Sequence, residues 1–339
     1  MKHNLLVYVL PALAIPAMLT SCGSKKQYLE SVTPQEQSLL LTKITDETQN
    51  SVIGNKENVY TADWTRSGYG KGAKNFTWNT GPRLSMSPDG ENIAYISVVD
   101  KAANVMVRKT APGSPSTQRT FRRAQNVNWG SDNRLYFNDN TAGSSTIGST
   151  DSKKGSLIKQ LTSNNNDWAP ALTRDGSTIY FTRFDGSGPS IWSLKKDTGE
   201  LTNCTRGYGA VPVGNSNSKI VCTRNTIKGN SEIWLVDLEK GDETLLLSDV
   251  DKGFTDPCVS PDGQWILVVA NSTSSITNKP NTDIYGVRID GTGLTQITYH
   301  PEVDCSPVFS TDGRYIYFIS SRANKQRKFN IWRINNPLY

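Results

Sequence analysis

Ser87-Pro88-Asp89-Gly90-Glu91-Asn92-Ile93-Ala94-Tyr95-Ile96 sets a four-residue turn directly against a run of β-branched, small and aromatic residues. Proline at the second position of a type I turn fixes φ, and glycine suits the fourth, so the chain reverses here. The apolar run that follows reads as a buried strand. The same unit returns as Ser260-Pro261-Asp262-Gly263 before Trp265-Ile266-Leu267-Val268-Val269, and as Ser310-Thr311-Asp312-Gly313 before Tyr315-Ile316-Tyr317-Phe318-Ile319. Weaker copies stand between them: Thr173-Arg174-Asp175-Gly176 before Ile179-Tyr180-Phe181, Gly130-Ser131-Asp132-Asn133 before Leu135-Tyr136-Phe137, and Asn215-Ser216-Asn217-Ser218 before Ile220-Val221-Cys222. The turn anchors Gly90, Asn133, Gly176, Asn217, Gly263 and Gly313 lie 43, 43, 41, 46 and 50 residues apart. Such a period indicates six copies of one supersecondary unit.

Each unit continues in the same way. A third strand carries Trp or Tyr, as in Ile191-Trp192-Ser193-Leu194, Ile233-Trp234-Leu235-Val236, Ile284-Tyr285-Gly286-Val287 and Ile331-Trp332-Arg333-Ile334. A fourth follows a polar turn, as in Leu201-Thr202-Asn203-Cys204-Thr205 and Leu294-Thr295-Gln296-Ile297-Thr298. Six four-stranded units make an all-β, six-bladed β-propeller, an architecture that leaves only short sheet edges. The sixth unit reaches its third strand near Ile334 and stops. Leu41-Thr42-Lys43-Ile44-Thr45 matches Leu294-Thr295-Gln296-Ile297-Thr298, so this N-terminal segment is expected to supply the missing fourth strand and close the ring. The Ser-Pro-Asp-Gly repeats with Leu-Thr-x-x-Thr outer strands resemble the propeller of the TolB family, and that beside the catalytic domain of prolyl-oligopeptidase-type peptidases. The resemblance covers residues 38–339 and implies a fold and a habit of binding. It departs in two respects: only a short tether precedes Leu39, and no Gly-x-Ser-x-Gly nucleophile motif occurs.

Ahead of the repeats, Lys2 precedes an apolar run from Leu5 to Leu19 that ends in Leu19-Thr20-Ser21-Cys22. The run has signal-peptide length and is too short for a membrane span. Its last tetrapeptide resembles a bacterial lipobox, which implies lipidation of Cys22, with Gly23 and Ser24 resembling an outer-membrane address. Residues 1–21 therefore read as a leader, 22–37 as a tether and 38–339 as the propeller. The expected location is the cell envelope, on an outer-membrane lipoprotein facing the periplasm or the surface.

Composition narrows the chemistry. The 339 residues include 27 Gly and 16 Pro, as a turn-rich chain should, and a net charge of +6 is too modest and too scattered to indicate a nucleic-acid partner. Of two histidines, His3 leaves with the leader, so a multi-His metal site has no ligands and His300 has no partner set for catalysis. His300 reads as structural or solvent-exposed. Neither cofactor nor metal is expected. Cys204, Cys222, Cys258 and Cys305 permit three complete pairings in an oxidising compartment, or remain as buried thiols. Cys222 takes the place of Phe181 in its strand and reads as core packing.

Function is expected on the face that carries the connections from strand two to three and from one blade to the next. An insert at 49–79 contributes Tyr60, Trp64, Arg66, Tyr69 and Trp78, which either contact a protein or sugar or fold back onto the rim. The blade-six loop brings Arg322, Lys325 and Arg327, either a basic patch for an anionic partner or a solvated hairpin tip. Asp167, Asp256 and Asp304 stand at the entrance to inner strands, where they either ring the channel mouth, ready for a cation or basic peptide, or accept hydrogen bonds within the turn. The expectation is a non-enzymatic, lipid-anchored binding scaffold. The family resemblance implies an envelope partner of the peptidoglycan-associated lipoprotein class. The alternative is a glycan- or peptide-binding propeller, or a hydrolase or lyase, with its ligand at the channel mouth.

Overall fold

The computed structural model describes residues 32–45 and 84–339, apart from short stretches at 100–101, 122–123, 141–144, 154, 164–165, 186, 227–229, 274–279 and 324–328. The described strands form six four-stranded antiparallel sheets. The innermost strands are Leu84–Met86, Ala124–Trp129, Asp167–Leu172, Tyr208–Pro212, Phe254–Val259 and Asp304–Phe309, and each contacts the inner strands on either side of it, closing a ring. The protein is a six-bladed β-propeller. No described helix is long and apolar enough to cross a membrane.

The repeated turn explains its own sequence. In blade one Gly90 N–H donates to the Ser87 carbonyl at 2.9 Å, Asn92 N–H donates to Ser87 Oγ at 2.9 Å, and Glu91 N–H donates to Asp89 Oδ1 at 2.9 Å. Ser260 with Asp262, and Ser310 with Asp312, repeat this pattern. Gly90, Gly263 and Gly313 all sit near φ +74, as the fourth position requires. Blade four departs from the expected anchor. Its turn is Val213 to Ser216, and the positive φ falls on Gly214 in the second position rather than on Asn217.

Ring closure occurs as the sequence match requires. Thr42 and Lys43 pair with Arg333 and Trp332 as the outer strand of blade six. The final threonine of the motif has a repeated task. Thr45 Oγ1 accepts from Ile331 N–H at 2.8 Å, as Thr298 Oγ1 accepts from Ile284 N–H, Thr162 Oγ1 from Ile147 N–H and Thr120 Oγ1 from Val105 N–H. Ahead of this strand a short 3₁₀ helix, Pro34–Leu39, buries Glu36 and Leu39 against the propeller.

The core lies between blades. Tyr95, Phe137, Phe181 and Phe318 occupy one position of the second strand and are almost wholly buried. Cys222 takes that position in blade four, opposite Trp234 as Phe181 is opposite Trp192. In blade five the second and third strands run on into an extended hairpin, where Asn271 to Thr273 pair with Thr282 to Pro280.

Candidate functional site

Every described inner strand except the first carries a bulge shortly after its start. In blades three, five and six the bulged residue precedes a proline and has left-handed backbone: Ala169 at φ 51, Asp256 at φ 49 and Ser306 at φ 49, with Gly209 at φ 62 in blade four. Proline restricts the residue before it and donates no ladder hydrogen bond, so the bulge is where the strand tolerates it. Beyond the bulges the strands enclose a central cavity of about 200 Å³. Its wall is mainly apolar, with Leu84, Val308, Pro257 and Pro307 among its members, and Tyr208 and Asn128 add polar atoms.

The three predicted aspartates separate here, and only Asp256 lines this cavity. Asp167 and Asp304 are completely buried and accept from arginines instead of facing the channel. Arg183 grips Asp167 through two hydrogen bonds of 2.7 and 3.0 Å while its guanidinium lies 4.3 Å from the centre of the Trp192 ring. A channel-mouth role for Asp167 and Asp304 therefore does not hold. The partner is a guanidinium rather than the turn backbone, because a carboxylate buried this deeply needs a charge beside it.

Arg322 is likewise no surface residue. Its side chain has no exposed area, and it donates to Glu36 through two 3.1 Å contacts and to Asp304 at 2.5 Å. Two carboxylates share one cation. Burial pushes Asp304 up to about 6, although Arg322 pulls in the other direction. Burial also works to raise Glu36, but Arg322 and the Tyr299 and Thr33 N–H groups outweigh it and hold that carboxyl below its ordinary value. The sequence signal for Arg322 was its company of lysines and arginines, and local composition reports charge without reporting burial.

His300 is buried, and its Nδ1 accepts from Glu302 N–H at 3.1 Å, which makes it a structural residue. Cys204, Cys222, Cys258 and Cys305 are not joined in disulfides among the described residues. Burial pushes the Cys222 thiol up to about 12 and that of Cys258 up to about 11. Among the described residues no three His, Cys, Asp or Glu side chains gather to hold a metal ion. Cys22, Tyr60, Trp64, Arg66, Tyr69, Trp78, Lys325 and Arg327 lie outside the described residues. Sequence reading missed Thr223 and Ser306, which line the cavity, and Glu36, which joins the buried ion pair. Single hydroxyl residues inside apolar strands carry no pattern, but Glu36 three residues after Thr33 was legible as a helix-capping pair.

No protein-family model matches the chain. Over 138 residues, 40% of this chain, it is 28% identical to the TolB homolog of Chlorobium chlorochromatii, and the match spans 31% of that relative's own length. A TolB candidate structure from Agrobacterium tumefaciens superposes with a TM-score of 0.58 at 16% identity, covering 76% of this chain and 90% of that one. The fold is that of the TolB propellers. The same TolB-like ring also superposes on oligogalacturonate lyase from Vibrio parahaemolyticus, with a TM-score of 0.56 at 10% identity, covering 91% of this chain and 97% of that one. Fold alone therefore does not separate binding from catalysis.

Proposed function

We propose that this protein is a lipid-anchored propeller of the cell envelope that serves as a non-enzymatic docking platform for another envelope protein, with the peptidoglycan-associated lipoproteins as the partner class. Residues 1–21 act as the leader, Cys22 as the acylated anchor, 22–37 as the tether and 38–339 as the platform. The membrane is its second partner, through the acyl chains, and nucleic acid is not among its partners. The observation that carries this reading is the use of charged residues near the inner-strand entrances. Asp167, Asp304, Arg183 and Arg322 are consumed in buried pairs that fix the shape of one face instead of meeting a substrate. A rigid face presents loops at little entropic cost to binding. The sequence likeness to a TolB homolog supports the same reading.

The likeness to oligogalacturonate lyase raises a lyase reading, and the channel speaks against it. Its described lining carries one carboxylate and no Lys, Arg or His, which opposes an anionic sugar acid. At about 200 Å³ it is also below the usual range of ligand pockets, roughly 300–1,000 Å³, and too small for an oligosaccharide. Crosslinking in intact envelopes tests the proposal. A stoichiometric protein partner should be captured, and Cys22→Ser should shift the protein out of the membrane fraction. Capture of no protein, combined with a thermal shift on adding oligogalacturonate, would replace the platform reading with the lyase one.

A further inference from the structure

The N-terminal segment is fastened to blade six through a buried site that holds two carboxyl groups and one guanidinium. The side chains of Glu36, Asp304 and Arg322 have no exposed area. A single nitrogen, Arg322 Nη2, donates to both carboxyls, to Glu36 Oε1 at 3.1 Å and to Asp304 Oδ2 at 2.5 Å. What else holds the two carboxyls differs. Glu36 also accepts from the Thr33 and Tyr299 N–H groups, whereas Asp304 Oδ1 is buried with no hydrogen-bond partner among the described residues. A second negative charge in such a place is costly, and a proton on Asp304 removes it. The other titratable residues on the elements packed around Asp304 have places of their own. Asp256, on the adjoining inner strand, lines the central cavity, and Asp283, on the third strand of blade five, accepts from Asn281. In the loop ahead of the inner strand His300 Nδ1 accepts from Glu302 N–H, and the Glu302 carboxylate accepts from Ser321 Oγ at 3.2 Å.

The two carboxyls also belong to separable parts of the fold. Asp304 is fixed in the inner strand of blade six, while Glu36 lies on the short helix Pro34–Leu39, ahead of a strand laddered at only two positions. We propose that residues 33–45 form a proton-controlled clasp, docked on blade six while Asp304 is protonated and loosened when Asp304 ionises and draws Arg322 away from Glu36. Burial raises Asp304 to about 6 against the pull of Arg322, and the charge of docked Glu36 adds to that rise. Linkage then fixes the direction: docking of Glu36 raises the affinity of Asp304 for its proton, so the proton favours docking by the same factor. Glu36 is held below its ordinary value and stays ionised over this range. The clasp is therefore firm at pH 5 and weakens as pH climbs through 6.

Amide hydrogen exchange of the full-length protein between pH 5 and pH 8 tests this, with blade two as internal reference. Ile44 N–H bonds the Ile331 carbonyl and Ile331 N–H bonds Thr45 Oγ1, as Leu161 N–H bonds the Ile147 carbonyl and Ile147 N–H bonds Thr162 Oγ1. Taking the ratio of the two sites removes the pH dependence of exchange itself. Protection of Ile44 relative to Leu161 should be roughly tenfold greater at pH 5 than at pH 8, the change supplied by one group titrating near 6. Asp304→Asn is permanently neutral and should keep the ratio at its pH 5 level throughout. Glu36→Gln removes the competing carboxylate and should also flatten the ratio, at a lower level, which provides the second reading if Asp304→Asn folds poorly. A ratio that is constant or rises with pH in the unaltered protein overturns the proposal. So does a pH dependence that survives both substitutions, which would place the proton on His300 or Glu302. Because no protein partner enters these measurements, their failure leaves the docking reading standing, and failed crosslinking leaves this one standing.

Discussion

Arg322 shows how far one side chain's environment departs from its neighbours in sequence. It satisfies Glu36 from the N-terminal 3₁₀ helix and Asp304 from the inner strand of blade six, all three fully buried. Removing one partner from such a group costs about 3–5 kcal/mol, because the charges left behind remain out of water. Arg322→Ala should therefore lower unfolding stability by about that amount at pH 7.5, measured by denaturant titration. The pH dependence has a definite sign. Asp304 is raised from 3.8 to about 6, so between those values the folded state holds a proton that the unfolded chain lacks. Its share of stability is complete below 3.8 and is lost as pH climbs through 6. Glu36 runs the other way: its share is present above the ordinary carboxyl value of 4.5 and is lost as pH falls through its lower folded value. The Arg322→Ala deficit should accordingly shrink between pH 7.5 and pH 5.5, as Asp304 takes up its proton. A deficit that stays constant over that interval would mean the two carboxylates do not compete for the guanidinium.

At the scale of the strand, closure rests on a short pairing. Only Thr42 and Lys43 are laddered to the third strand of blade six, so the flanking contacts matter more than length. Thr45 accepts from Ile331 N–H and donates to Asn330 Oδ1, and Ile44 sits in the core at 2% exposure. Thr45→Val removes the acceptor and strands a buried N–H, which costs about 1–3 kcal/mol. Deleting residues 38–46 should lower the melting temperature of the whole domain much further, and an unchanged value would refute closure by this strand. The closure was legible because Leu41 to Thr45 copies a motif whose spacing is fixed by hydrogen bonds to the next strand. The turns were legible because Ser87 and Asp89 each bond specific backbone groups, so the chemistry leaves a fixed tetrapeptide. The site was less so. Asp167, Asp256 and Asp304 look alike in sequence because all precede an inner-strand proline, yet Asp256 is one residue before it and the other two are three before. Two residues of offset across a bulge decide between the channel and an arginine inside the blade. Arg322 was misplaced for a related reason, since local composition reports charge but not which strand of another unit lies opposite.

For the molecule as a whole, the ring should behave as one cooperative unit, because each blade buries its sheet face against the next and the last blade is built from both ends of the propeller. The thiols supply internal reporters for this. Cys222 lies in the second strand of blade four and Cys305 in the inner strand of blade six, and both are fully buried. The Cys222 thiol is pushed up to about 12 by burial, so at pH 8 the folded state holds almost none of its reactive thiolate. Unfolding restores a thiol near 8.5 and exposes it to reagent. If blades opened one by one, labelling of the two cysteines would follow different denaturant dependences, as expected where local openings have separate free energies. A closed ring predicts instead that Cys222 and Cys305 label together, with midpoints matching loss of the intrinsic tryptophan signal. Half-exposed Cys204 should react earlier than either. Deleting residues 38–46 should break the agreement by letting blade six open ahead of blade four, so that Cys305 labels at lower denaturant than Cys222. Labelling that already differs between them in the intact protein would show that the ring is a chain of independent blades, and would remove rigidity as the basis for its role as a platform.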